Sequence, residues 1–131
     1  MSGNKVVLDT NVIIFASKQL IDIEKFIDDY DSFYVSIVTY MEVYSYEFSN
    51  PNEKFLIDEL FKNIEIIEVN KTIADVSILL RKNQKKKIKL PDAIILATAK
   101  VLEIPLLTDD WDDFSKVDET IPIIDIDHLK I

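Results

Sequence analysis

Acidic residues from four separate segments of the sequence stand where their carboxylates could act together. Asp9 and the pair Asp109-Asp110 each follow a short apolar run, and Asp92 opens a long apolar segment. Glu42 comes a few residues after another apolar run. Several carboxylates brought together repel one another unless some are protonated or a cation neutralises them. The pattern therefore indicates an acidic site that binds a cation.

The remaining composition narrows the choice of cation. The chain has no cysteine, and its only histidine, His128, is the fourth residue from the end, where we expect a solvated side chain. Ligands must then be oxygen atoms, which suit Mg²⁺ or Mn²⁺. An ion held in this way keeps several waters, binds substrate phosphates and makes a bound water more acidic. The predicted chemistry is metal-assisted hydrolysis of a phosphodiester.

Each acid also has an ordinary structural explanation. Asp92 in a first helical turn would favour the helix dipole, and Thr39 with Glu42 has the spacing of a capping box. Asp9 could form a local turn, and the run 109–113 could be a solvated loop. Helix capping does not require an acid to follow a buried strand or to begin so apolar a helix. Capping therefore explains each acid alone better than it explains the positions of all of them together.

Composition limits the class of protein. At 131 residues, with 48% hydrophobic and 30% charged residues, the chain fits one globular domain over residues 1–131 rather than a disordered protein. The lack of cysteine favours a reducing, cytoplasmic setting. No apolar stretch approaches the roughly 20 residues of a transmembrane helix, and the N-terminus lacks the basic-then-apolar pattern of a signal peptide, so no membrane association is expected.

Two further numbers exclude specific kinds of binding. The chain has a single glycine, Gly3, whereas phosphate-binding loops need several glycines so that the backbone can approach the phosphate closely. A P-loop and a dinucleotide-binding fingerprint are therefore excluded. The formal net charge of −9 argues against passive binding of nucleic acid over a broad surface. It leaves room for a site where a cation bridges acid and phosphate.

Strands and helices are predicted to alternate along the chain. Strands are expected over 5–9, 33–37, 65–69, 105–108 and 121–126, and helices over 11–30 with a break near 17–20, 39–48, 51–63, 71–86 and 92–102. This order predicts an α/β fold with a mainly parallel sheet. Because ligands of such sheets bind beyond the carboxyl ends of strands, the acids should meet at one edge.

Four segments in this order resemble a known family. VVLDTNVII lies near the start, SIVT with Glu42 follows, and LPDAIILATA and PLLTDDWDDF occupy the last third. The chain is similar to PIN-domain ribonucleases, of the small type found as VapC toxins in toxin–antitoxin operons. The resemblance implies a three-layer fold, with a five-stranded, mainly parallel sheet flanked by helices and an acidic pocket for Mg²⁺ or Mn²⁺.

The resemblance also assigns residues. Asp9, Glu42 and Asp92 match the three core catalytic and metal-binding acids. Asp110 aligns best with the fourth by its distance from Thr108, although one extra residue before the following phenylalanine leaves the register open. The other candidates for the fourth acid are Asp109, Asp112 and Asp113. The polar residues that match the partners orienting the acids are Thr10, Asn11, Ser36 and Thr108.

A basic run and an aromatic set have two readings each. Lysines of the segment 81–89 could hold an RNA backbone near Asp92, or could form a charged helix end. The lysines in question are Lys85, Lys86, Lys87 and Lys89. The aromatic residues of 40–48 could stack bases, but helix packing or a protein interface is favoured.

The leading hypothesis is a Mg²⁺- or Mn²⁺-dependent endoribonuclease that cleaves single-stranded or structured RNA. The resemblance implies a toxin that forms a homodimer and is neutralised by a small antitoxin. A second hypothesis is phosphoryl transfer through an aspartyl phosphate, which is disfavoured because Asn11 stands where such phosphatases need a second acid. A third is a non-catalytic metal- or protein-binding module with the PIN fold.

Overall fold

The structure is a computed structural model that describes residues 4–82 and 87–131. Five strands occur in these ranges: β1 Lys5–Leu8, β2 Ser32–Ser36, β3 Ile64–Ile67, β4 Leu106–Thr108 and β5 Ile123–Asp125. The α-helices of the same ranges are α1 Thr10–Ser17, α2 Ile23–Asp29, α3 Ile37–Tyr44, α4 Pro51–Phe61, α5 Lys71–Lys82, α6 Leu90–Leu102 and α7 Trp111–Ser115. A short 3₁₀ helix, Ile126–Leu129, follows β5.

The strands form one parallel sheet in the order β3-β2-β1-β4-β5. From the central β1 the chain moves outward to β2 and β3, then returns to place β4 and β5 on the other side of β1. The direction of winding therefore reverses between β1 and β4. In open α/β sheets this reversal leaves a crevice at the carboxyl ends of the two strands, where ligands bind.

Helices cover both faces of the sheet. Val6 and Leu8 of β1 pack in the hydrophobic core that includes α1 and α2, whereas Val7 packs in the core that includes α5 and α6. All three side chains are buried. This arrangement explains why β1 is apolar without interruption: successive side chains of a strand point to opposite faces, and here both faces are covered by helices. The predicted α/β, three-layer fold with a five-stranded sheet is confirmed.

Helix α6 is buried over most of its length. Pro91 lies in its first turn, where a missing N–H costs nothing. The buried residues are Ala93, Ile95, Leu96, Ala97, Thr98 and Ala99. Asp92 stands at the solvent end of this helix, in the first turn as predicted.

The structure bears on three of the predicted helix boundaries. The helix expected over 39–48 begins at Ile37 and ends at Tyr44, because the Ser36 hydroxyl accepts a hydrogen bond from the Val38 N–H and caps the helix. The break predicted near 17–20 is confirmed as the gap between α1 and α2. The helix expected over 71–86 is described to Lys82, and 83–86 lie outside the described residues. None of the described helices combines the length and apolarity of a bilayer crossing.

Candidate active site

Asp9 is held at the reversal point of the sheet by bonds to both of its carboxylate oxygens. It follows β1 and forms the N-cap of α1, where Oδ1 accepts a hydrogen bond from the Thr10 N–H at 2.8 Å. Its Oδ2 accepts one from the Thr108 hydroxyl at the end of β4, also at 2.8 Å. The side chain is 6% exposed. The carboxylate is thereby fixed in position, and lone pairs remain on both oxygens.

The Thr108 hydroxyl continues this network to a second acid. It accepts a hydrogen bond from the Asp110 N–H at 2.9 Å. Asp110 is the N-cap of α7, and its Oδ1 accepts a longer bond from the Asp113 N–H at 3.4 Å. One buried hydroxyl therefore links the acid after β1 to the acid before α7.

Glu42 is positioned by α1 and not by a capping box. The Thr10 hydroxyl donates to Glu42 Oε1 at 2.6 Å and lies 3.2 Å from the hydroxyl of buried Thr39. Because α3 begins two residues before Thr39, Glu42 lies in the second helical turn. The capping-box explanation of Glu42 is wrong. The i,i+3 spacing of Thr39 and Glu42 instead puts them on one helix face, which is the signal that could have identified Thr39 as a neighbour of the site.

Asp92 lines a small cavity of about 230 Å³, called here the acidic cavity. Its side chain is half-buried at the start of α6. The lining residues are Lys87, Ile88, Lys89, Asp92, Asp110, Asp113 and Phe114. The cavity thus brings together acids from α6 and α7 and two lysines of the predicted basic run. Lys85 and Lys86, the other two lysines, lie outside the described residues.

The acids are close enough to perturb one another. Burial raises the pKa of Asp9 to about 7 against the lowering effect of its two hydrogen bonds, and the charges of Asp92 and Asp109 raise it further. Burial also raises the pKa of Asp92, as do the charges of Glu42 and Asp110, while Lys89 opposes the change. The ionised state of the group is therefore costly unless a cation is present.

The pKa of Asp110 is also raised, first by its burial and then by its hydrogen bonding and charge interaction with Asp113. Asp113, unlike Asp112, therefore acts on the charge of Asp110, although both residues are exposed. This interaction keeps Asp113 among the candidates for the fourth acid, beside Asp110.

The chemistry of the donors fits a hard divalent cation. The side chains of the four candidate acids, Asp9, Glu42, Asp92 and Asp110, and of their neighbours Thr10 and Thr108 offer only carboxylate and hydroxyl oxygens. Mg²⁺ and Mn²⁺ prefer oxygen ligands. Within residues 4–82 and 87–131, no three acidic or histidine side chains are already gathered as a ready-made metal site.

The other two predicted orienting residues, Ser36 and Asn11, do not bond to the same acids as Thr10 and Thr108 do. Ser36 is buried, and its hydroxyl caps α3 through the Val38 N–H. Asn11 Nδ2 donates to Asp109 Oδ1 at 3.5 Å, a long bond at the exposed edge of the site. This bond connects α1 to the acidic run that follows β4. No local pattern in the sequence predicts it, because the two residues are 98 positions apart.

The aromatic residues of 40–48 pack mainly against protein. Tyr44 lies 5.0 Å from Tyr40 and 5.5 Å from Phe61, measured between ring centroids. Its hydroxyl donates to Asp58 of α4 at 2.6 Å. Tyr46 packs on Phe48 after the end of the helix. Helix packing, the favoured reading, is therefore confirmed for Tyr44.

Comparison with known proteins places these features in context. Residues 6–120 match the PIN domain family. A toxin–antitoxin complex from Klebsiella pneumoniae contains a chain 27% identical to this one, with a TM-score of 0.69, and the match covers 91% of this chain and 95% of that one.

Two further solved structures share the fold. The DNA-bound VapBC complex from Salmonella typhimurium matches with a TM-score of 0.79 and 20% identity, over 92% of this chain and 97% of that one. A VapBC complex from Rickettsia felis bound to a promoter DNA fragment matches with a TM-score of 0.78 and 17% identity, over 92% and 98%. Among curated proteins, no sequence matches this chain.

Proposed function

The chain belongs to the PIN domain family, a family of nucleases, and on this basis we propose that it is a Mg²⁺- or Mn²⁺-dependent endoribonuclease. We propose further that it is the toxin of a toxin–antitoxin pair. The observation that carries the proposal is the placement of Asp9, tied through Thr108 to Asp110, at the reversal point of the sheet. Ligands of parallel α/β sheets bind at this point.

Four acids would hold the cation: Asp9, Glu42, Asp92 and Asp110. A bound Mg²⁺ or Mn²⁺ would supply a more acidic water and neutralise charge on the phosphoryl oxygens. Thr108 keeps the Asp9 carboxylate aimed at the crevice, and Thr10 holds the Glu42 carboxylate. Because Asp9 has a pKa of about 7, binding of a cation at neutral pH releases a proton from this carboxyl in part of the molecules.

The lysines at the acidic cavity support RNA as the substrate. Lys87 and Lys89 are exposed and line the same cavity as Asp92. In a chain of net charge −9, a phosphate backbone needs such local cations to approach the acids. These two lysines are therefore assigned the role of holding phosphates beside the scissile bond.

A second surface supports binding of a small antitoxin protein. An apolar cavity of about 350 Å³ lies between α1, α2 and α4. Phe26 and Phe33 line it, and Ile27 at its rim is 51% exposed. The solved relatives include toxin–antitoxin complexes, and apolar side chains of a partner would be buried here. Homodimer formation is proposed as well, supported by Ile78 and Leu79, which α5 exposes to solvent.

The test of the nuclease is cleavage of a labelled, mixed-sequence single-stranded RNA with Mn²⁺ and with EDTA. The wild-type protein should cut only with metal, and Asp92→Asn should not cut. Asp28→Asn, a change of an exposed acid on α2, is the matched control and should cut like wild type. Equal cutting by Asp92→Asn, or cutting in EDTA, would contradict the proposed mechanism.

The alternative is a non-catalytic metal- or protein-binding module with the PIN fold. It predicts no cutting by any variant. If Mn²⁺ also left the melting temperature unchanged, the protein-binding form of this alternative would replace the nuclease.

A further inference from the structure

The only tryptophan of the chain stands beside the acidic site. Trp111 is the first residue of α7 and directly follows Asp110. Its side chain is 43% exposed. A large aromatic side chain left exposed next to a candidate active site is a feature that packing does not explain, because burial of its ring would have stabilised the fold.

Helix α7 separates two concave surfaces. Asp110, Asp113 and Phe114 face the acidic cavity. Trp111 and Ser115, one turn apart on another side of the helix, line a wider cleft of about 660 Å³, called here the Trp111 cleft. Residues 121–123, which lead into the edge strand β5, form its opposite wall. Its volume lies in the range of small-molecule sites, roughly 300–1,000 Å³.

We propose that the Trp111 cleft binds one nucleobase of a single-stranded RNA whose backbone lies at the acidic cavity, with the base stacked on the indole ring. This inference rests on the proposed nuclease function and adds a substrate subsite to it. Asp110 and Trp111 are consecutive residues, whose Cα atoms are about 3.8 Å apart, so the acidic cavity and the Trp111 cleft adjoin at the start of α7.

The chemistry of the cleft fits a nucleotide. Every base has a π-face, so stacking on an aromatic side chain tolerates any sequence. The Ser115 hydroxyl can donate to or accept from a base edge. Lys116 lines the cleft and is exposed. It takes part in none of the ion pairs of the described residues, so it is available for a phosphate. Glu119 also lines the cleft, which places the phosphate on the Lys116 side.

A protein partner fits this cleft less well than a nucleotide does. The cavity between α1, α2 and α4 is lined largely by aliphatic and aromatic side chains and belongs to the opposite face of the sheet. The Trp111 cleft has one apolar wall, formed by residues 121–123, but its other lining groups are an exposed aromatic ring, a hydroxyl and the charged groups of Lys116 and Glu119. It also shares α7 with the acids. Continuity with the acidic cavity therefore selects the RNA strand as the occupant.

Tryptophan fluorescence tests the inference directly, because Trp111 is the sole emitter of its kind. A short single-stranded RNA is titrated into the full chain in EDTA, which prevents metal-dependent cleavage, and binding is followed in parallel by anisotropy of a labelled strand. We expect quenching of Trp111 that saturates together with the anisotropy. Inorganic polyphosphate of matched charge should not quench it, since it has no base to stack.

Variants give the second readout. Trp111→Ala should weaken RNA binding by about 5- to 150-fold, the range that corresponds to the loss of one stacked base. Trp111→Phe should keep most of the affinity. Phe55→Ala is the control, because Phe55 is an exposed aromatic residue, 61% accessible, on α4; its binding should equal that of wild type.

Several results would overturn the inference. RNA binding without quenching, equal quenching by polyphosphate, or unchanged affinity of Trp111→Ala would each remove the base from the cleft. If wild type also cuts RNA with Mn²⁺ in that case, the nuclease stands and only the subsite fails. If the labelled RNA binds wild type neither in EDTA nor with Mn²⁺, the subsite and the proposed RNA substrate fail together.

Discussion

The hydroxyl of Thr108 donates to Oδ2 of Asp9 at 2.8 Å, joining two residues 99 positions apart in the sequence. The bond crosses the reversal point of the sheet, from the end of β4 to the end of β1. Since the same hydroxyl accepts from the Asp110 N–H, one buried side chain sets the positions of two candidate metal ligands.

Removing this hydroxyl should therefore affect stability and activity together. Thr108→Val keeps the shape but removes the hydrogen-bond partner of Asp9 Oδ2 and of the Asp110 N–H, while Asp9 Oδ1 keeps its bond from the Thr10 N–H. The free energy of unfolding should fall by about 1–3 kcal/mol, the cost of buried polar groups that lose their hydrogen bonds. Cleavage of RNA should fall as well. Urea denaturation and the RNA assay measure the two effects, and Thr108→Ser, which retains the hydroxyl, should recover most of both.

The raised pKa of Asp9 predicts how stability depends on pH without metal. Between the ordinary pKa of 3.8 and the folded-state value of about 7, the folded protein holds a proton that the unfolded chain has released. The contribution of Asp9 to the free energy of unfolding is therefore greatest below about pH 4 and is lost as pH rises through 7, a change of up to about 4 kcal/mol.

Asp9→Asn should remove this dependence. In EDTA the variant should gain stability relative to wild type between pH 5 and pH 8, as measured by urea denaturation at both values. A difference between the two proteins that stays constant over this pH range would show that Asp9 does not titrate there.

Binding of Mn²⁺ should raise the melting temperature, because a ligand that binds only the folded state stabilises it. Asp92→Asn should reduce or abolish the rise, and Asp28→Asn should preserve it. The apparent affinity for Mn²⁺ should also increase from pH 6 to pH 8, since Asp9 must lose its proton to bind a cation. Isothermal titration at the two pH values tests this. A pH-independent affinity would argue against Asp9 as a ligand.

Ser36 allows its two possible roles to be separated. As the N-cap of α3, its replacement by alanine should lower the free energy of unfolding by about 1 kcal/mol and leave the Mn²⁺-dependent melting shift unchanged. Ser36→Gly should cost only a few tenths of a kcal/mol. Loss of the Mn²⁺ shift in Ser36→Ala would instead assign this residue an orienting role in the metal site.

Local patterns in the sequence were enough for the elements that carry the site. The run Val6 to Leu8 predicted a strand buried on both faces, and Pro91 with the apolar segment after it predicted a helix with Asp92 in its first turn. Both predictions depend only on residues that are close together in the sequence, and the structure confirms them. The predicted start of α3 at residue 39 was wrong, since the helix begins at Ile37. Ser36 and Thr39 are both good capping residues by type, and local propensity does not choose between them.

The contacts between elements depended on tertiary packing alone. Nothing near Thr108 in the sequence announces Asp9, because the two meet only when β4 lies beside β1. Nothing near Thr10 announces Glu42, because these two meet only when α1 packs against α3. The pattern of apolar and polar residues along the chain indicates which residues form strands and helices and which of their faces are buried. Which strand lies beside which is decided by the joint burial of helices on both faces, and that choice brings the acids within reach of one another.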